Sequence, residues 1–273
     1  MTKVSGLQLL PLDCAPGALQ AGDVVHVETP ENPTGEARDI AAYAAKAHAR
    51  GAWLVVDSTF GPPGLQEPLG LGADVVMHSG TKYLGGHSDM LCGVLACRRE
   101  EWVRGLREER TYLGSVMGGM EAWLGVRSLR TLEVRVRRQS ESATRLVGWL
   151  DGRVREGGWG GVVEGVRHAS LQKEDLEEGW LRRQMGGGFG PVFAVCMRDE
   201  GMARRLPSCL ELFQHATSLG GVESLVEWRA MSDKMVDRRL LRVSVGLESW
   251  EDLREDLERG FGKLKDDLGV EKT

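Results

Sequence analysis

Three short apolar runs, each ending on a polar residue, constrain the fold of this 273-residue chain more than any other feature. Val24-Val25-His26-Val27 leads into Glu28, Trp53-Leu54-Val55-Val56 into Asp57, and Asp74-Val75-Val76-Met77 into His78-Ser79. Apolar runs of this length suit strands buried on both faces of a parallel sheet. Between the first two lies DIAAYAAKAHAR, alanine-rich, with Asp39 as a candidate cap and Gly51 just past its end, which reads as a helix. Within ETPENPTGE, the Asn32-Pro33 pair holds Asn32 in an extended or turn geometry, so the first strand ends near Glu28. Strand, helix, strand, loop, strand is the order of a doubly wound α/β sheet, where ligands sit beyond the carboxyl ends of the strands. Asn32, Asp57, Ser79, Thr81 and Lys82 occupy those positions.

Further along, Gly93 to Cys97 reads as another short strand and Glu121 to Leu150 as one long, Arg-rich helical region. Beyond Gly152 the chain turns glycine-rich, with GGWGGV and MGGGFG around apolar runs such as Pro191 to Met197. Leu206 to Val226 is an apolar stretch, Leu240 to Val245 a strand by alternation, and Trp250 to Leu268 an amphipathic closing helix. The expected organisation is a partial large α/β domain over residues 1–145, with a mostly parallel doubly wound sheet, and a smaller α+β domain over 146–273. A net charge of −5 with both signs interspersed gives no block suited to nucleic acid or an anionic membrane. No apolar run approaches the ~18 residues of a membrane span, and the start lacks the basic-then-apolar order of a signal peptide. The five cysteines are odd in number, scattered and never in a CxxC or Cys/His metal spacing. They read as reduced, mostly buried thiols of a cytoplasmic protein with no metal site.

Eight lysines occur, at 3, 46, 82, 173, 234, 263, 265 and 272, and seven lie in polar or terminal contexts that suit a solvated charge. Lys82 directly follows a strand, within His78-Ser79-Gly80-Thr81-Lys82-Tyr83. A lysine in an enclosed site loses its charge readily and becomes an amine nucleophile, with a Schiff base as its obvious use. Ser79 and Thr81 flank a glycine beside that lysine and can donate to a phosphate approached closely by the backbone. Asp57, at the end of the neighbouring strand, needs a cation, and a protonated pyridine nitrogen is one. Together Asp57 and Lys82 point to pyridoxal phosphate. The purely structural alternatives are Asp57 as the cap of a turn at Thr59 and Ser79 as the cap of the segment after it. A nicotinamide-binding Rossmann domain has little support, because no G-x-G-x-x-G follows the first strand.

The run from VHVETPENPTGE through VVDSTFGPPG to VVMHSGTKYLGGHSDMLCGVL resembles the transsulfuration family of fold type I pyridoxal-phosphate enzymes, the cystathionine synthases and lyases. LGSVMGGMEAWLGVRSLRTLEVRV, ELFQHATSLGGVESL and LLRVSVGLESWEDLREDLERGF extend the resemblance over nearly the whole chain. It implies that Lys82 forms the covalent Schiff base and that Asp57 keeps the pyridine nitrogen protonated. Ser79 and Thr81 would bind the phosphate, and Asn32 would lie against the ring. Arg242, in LLRVSVG, would pair with the substrate's α-carboxylate, with Ser218 of TSLGG beside it. The implied activity is a carbon–sulfur lyase or a synthase acting on a small sulfur-containing or O-acylated amino acid, in a homodimer or homotetramer. The implied departures are equally specific. The chain starts shortly before the family's E-x-P-x-N-P motif, without the ring-stacking tyrosine, the Ser-Gly-Met phosphate turn or the Tyr-x-Arg segment that reaches a neighbouring subunit. Glu227-Trp228-Arg229-Ala230-Met231-Ser232-Asp233 also departs from a proline and a Thr-His pair. The alternative is a truncated or degenerate, non-catalytic paralogue lacking the N-terminal half of the cofactor site.

Overall fold

The computed structural model describes residues 5–159 and 161–268, so Lys3 and Lys272 lie outside the described residues. Strands β1 (Val24–Glu28), β2 (Trp53–Asp57) and β3 (Val75–Ser79) run parallel and adjacent, and β4 (Gly93–Cys97) adds antiparallel to β3. Register places Glu28 opposite Asp57 and Ser79 opposite Gly93, so the polar strand ends line one edge. Helix α1 (Ile40–His48) connects β1 to β2 and starts where the Asp39 carboxylate accepts the Ala42 N–H at 3.1 Å. Ile40, Ala44 and Ala47 pack on Val25, Val27, Leu54, Val56 and Val76.

Burial on both faces holds for one face only. Leu54, Val56 and Val76 are buried, whereas Val55, Val75 and Met77 are half-buried and Leu95 of β4 is 54 % exposed. The cause is unequal cover. Helix α2 (Glu100–Leu113), unassigned from sequence, touches β4 and meets Trp53 through Trp102, yet buries none of its own residues. The single helix expected over 121–150 is two, α3 (Gly119–Leu129) and α4 (Leu132–Arg155). They part at Arg130-Thr131, where the Ser128 carbonyl accepts the Thr131 N–H and hydroxyl and Arg135 Nη2.

The second sheet contains β5 (Val163–Arg167), β6 (Val192–Met197), β7 (Gln214–His215), β8 (Leu225–Trp228) and β9 (Leu240–Ser244), in the spatial order β5-β6-β9-β8-β7. Short helices α5 (Lys173–Glu177), α6 (Trp180–Gln184) and α7 (Glu200–Arg205) lie in its connections, and α8 (Trp250–Leu268) closes the described chain. Helices α4 and α8 cover one face, burying Leu146, Leu150, Leu253, Leu257 and Phe261 against Phe193, Val195, Leu241 and Val243. The strand that alternation marks forms as β9, and all five of its residues are buried because it is a central strand. Leu241 and Val243 enter the core, whereas Arg242 turns to the loop after β1.

Polar side chains tie the two sheets together. Gln139 of α4 donates to the carbonyls of Gly221 and Val245, and Gln184 joins Ile40 N and Gln66. The five cysteines are thiols, and each is half-buried rather than mostly buried as expected. Among the described residues no helix is long and apolar enough to cross a membrane, and no His/Cys/Asp/Glu group could hold a metal ion.

Candidate active site

Lys82 stands in a turn that leaves β3 at once. Its N–H donates to Ser79 O, Gly85 N to Gly80 O, and Gly86 N to Lys82 O. Buried Arg135 of α4 braces this turn, donating through Nη1 to Tyr83 O at 2.8 Å and through Nη2 to Ser128 O at 3.1 Å. A Cβ at position 80 would fall 2.1 Å from Cys92 Sγ, so any side chain there would displace the thiol.

The half-buried Lys82 amine donates to Ser218 Oγ at 3.4 Å, across 136 positions of sequence. Burial, and secondarily the positive charge of Arg242, lower its pKa, with Glu227 opposing. Arg242, 3 % exposed, reaches the same segment from β9. It donates through Nη2 to the Thr217 carbonyl and at 3.4 Å to Ser218 O, and through Nη1 to Asn32 Oδ1 at 3.1 Å. The structure thus brings Asn32, Lys82, Ser218 and Arg242 together.

Asp57 and Ser79 meet through Thr59, which the sequence presents only as a turn partner. Asp57 Oδ1 accepts the Thr59 N–H at 2.9 Å and hydroxyl at 2.6 Å, and Thr59 Oγ1 accepts Ser79 N at 2.9 Å. The turn-cap reading of Asp57 therefore holds alongside its place at the strand-end site. The Thr81 hydroxyl is engaged by the Cys92 backbone, accepting Cys92 N at 3.2 Å. Ser79 Oγ makes no hydrogen bond to another described residue.

Two acids went unassigned from sequence. Glu28 is lifted to about 7 by burial and by Asp57 across the β1/β2 pair. Glu227, 2 % exposed at its side chain, forms a 2.5 Å ion pair with Arg242. Glu227 lies in a segment remarked only for its departure from the family pattern, and nothing local announces a partner in another strand.

A family model described as Cys/Met metabolism PLP-dependent enzyme matches residues 18–262. Cystathionine gamma-lyase of Dictyostelium discoideum is 36% identical over 251 residues, which are 88% of this chain and 63% of that protein. Cystathionine gamma-synthase of Mycobacterium tuberculosis is 40% identical over 252 residues, 88% of this chain and 62% of its own length. The crystal structure of cystathionine gamma synthase from Xanthomonas oryzae pv. oryzae in complex with cystathionine superposes with a TM-score of 0.81 at 34% identity, over 89% of this chain and 64% of that one. The chain spans somewhat under two thirds of the length of the relatives it matches.

Proposed function

The chain belongs to the family of Cys/Met metabolism PLP-dependent enzymes, and from that premise we propose that it acts on a sulfur-containing or O-acylated amino acid by elimination or replacement at its β or γ carbon. The observation that carries this reading is the convergence of Lys82 and Arg242 on Ser218. An amine at the hydroxyl and a guanidinium at the carbonyl of one serine suit an amino acid held by its carboxylate beside a base.

The donor set fits pyridoxal phosphate. Lys82 is an amine whose ammonium form is disfavoured, Ser79 Oγ has no bond to another described residue, and the packed Gly80 keeps side chains away from the backbone beside it. Lys82 would hold the aldehyde, Asp57 would accept the pyridine N–H, and Ser79 and Thr81 would face the phosphate. When bound, the cofactor supplies an electron sink for the carbanion at the substrate's Cα.

Arg242 binds the α-carboxylate, helped by the Ser218 segment, and so turns Cα toward Lys82. Lys82 as a free amine would remove the Cα proton and return a proton to the leaving side. Asn32 would lie against the ring, and its Oδ1 accepts Arg242 Nη1. Thr59 orients the Asp57 carboxylate. We take residues 1–145 to hold the cofactor and 146–273 to carry the carboxylate site, in a cytoplasmic homodimer or homotetramer.

The test is the visible spectrum of the chain purified with pyridoxal phosphate, before and after borohydride. A yellow band that reduction removes, with the label on Lys82, is expected, and Lys82→Ala should lack the band. An unchanged band in that variant overturns the role given to Lys82.

A further inference from the structure

We propose that Arg229 is a specificity-determining residue that takes a second carboxylate on the substrate's side chain, so that amino acids with an acidic end are preferred to neutral ones of the same length. The inference rests on the α-carboxylate role of Arg242 given above.

Glu227 is shared between two guanidinia. Its Oε2 pairs with Arg242 Nη2 at 2.5 Å, and both of its oxygens lie 3.3 Å from Arg229 Nη1. Two guanidinia thus meet on one buried carboxylate. Glu28, which also feels Arg229, is raised to about 7 by burial and by Asp57, so it is a weaker counter-ion than an ordinary carboxylate.

Arg229 uses only part of its guanidinium. Nη1 donates to Glu227 and, at 3.0 Å, to Ser232 Oγ. Nε is buried and has no partner among the described residues, and Nη2 makes no bond to any of them. A buried donor without an acceptor is uncommon in a folded chain and calls for an explanation. The Nε–Nη2 edge is also the one that receives a carboxylate side-on through two parallel bonds. The side chain is 17 % exposed against 3 % for Arg242, so it lies on the solvent side of the shared carboxylate, and its buried Nε must turn outward to receive a ligand. Glu227 thus spaces two carboxylate receptors, Arg242 inside and Arg229 outside.

The competing role is structural: Arg229 steadies Glu227, and through it Arg242. The two roles separate in calorimetric titrations with L-2-aminoadipate and L-norleucine, which share the α-amino acid head and differ at the far end. The expected result is about tenfold tighter binding of aminoadipate to the native chain. Arg229→Gln should erase that preference while norleucine binding stays within about twofold, and Arg229→Lys should keep part of it. No preference in the native chain, no binding of either probe, or equal weakening of both by Arg229→Gln would overturn the proposal. The borohydride-reducible yellow band of the same preparation reports separately on the function it rests on.

Discussion

His168 offers a quantitative test of how the second sheet holds the site. It is 1 % exposed, its Nε2 donates to Gly190 O at 2.7 Å, and its Nδ1 accepts Ser170 N at 3.3 Å, so the ring is neutral. Burial lowers its pKa from 6.5 to about 4, the bond to Gly190 opposing. Above pH 6.5 neither folded nor unfolded chain protonates the ring, and stability is unaffected. Below it the unfolded chain takes up a proton that the folded chain refuses, so stability falls until the folded pKa is reached and then levels. At about 1.4 kcal/mol per pH unit the full loss is about 3 kcal/mol, of which about 2 kcal/mol is gone by about pH 5. His168→Gln keeps a donor for Gly190 and cannot titrate. Urea unfolding of both proteins from about pH 7 to pH 4 isolates the ring, because other groups, including Glu28 with its opposite slope, cancel in the difference. The native curve should drop below the variant's by about 3 kcal/mol. Parallel curves would refute the buried, neutral imidazole.

Two further outcomes are expected at the site. Arg242→Lys keeps a charge beside Glu227 but loses the planar fork, so the substrate concentration for half-maximal rate should rise about tenfold or more while the yellow band persists; a lost band would assign Arg242 to cofactor retention instead. Thr59→Val removes the hydroxyl linking Asp57 to Ser79 N at nearly constant volume, and should cost about 1–3 kcal/mol in urea unfolding with weaker cofactor retention in a spectral titration. Unchanged values in both assays would mean that the hydroxyl is not what orients Asp57.

Local pattern and topology control the part of the fold that is legible in the sequence. Apolar runs ending at Glu28, Asp57 and Ser79 mark strands whose carboxyl ends must line up in a parallel sheet, and they do. Lys82 stands out because it follows a strand with no room for a solvated loop. Ser218 and Arg242 look like ordinary surface residues in one dimension, and only the family resemblance points to them. Their partners lie 136 and 210 positions away, and no local periodicity encodes such distances. Helix α2 escapes a sequence reading for a different reason. Trp102, Val103, Leu106 and Leu113 recur at helical spacing, so the stripe was there to be read, but the many charged residues between them suit a solvated helix and a loop alike.

Glycines, rather than polar bonds, set the separation between Lys82 and Arg242. Gly220 has φ +77, and a Cβ there would meet Tyr83 N at 3.0 Å and Lys82 Cβ at 3.2 Å. Its N–H donates to Ser244 Oγ at 3.1 Å, two residues along β9 from Arg242. The Ser218-Leu219-Gly220-Gly221 segment is therefore clamped between the Lys82 turn and the strand that carries the guanidinium. A polar bond as long as the 3.4 Å contact from Lys82 to Ser218 cannot by itself hold a base in place. Close backbone packing against a residue without a side chain can, because any displacement of one element meets atoms of the other at once. The residues proposed for the chemistry, Asp57, Ser79 and Lys82, were legible in the sequence, but the spacing between the Lys82 turn and β9 rests on Gly220, which bears no functional group.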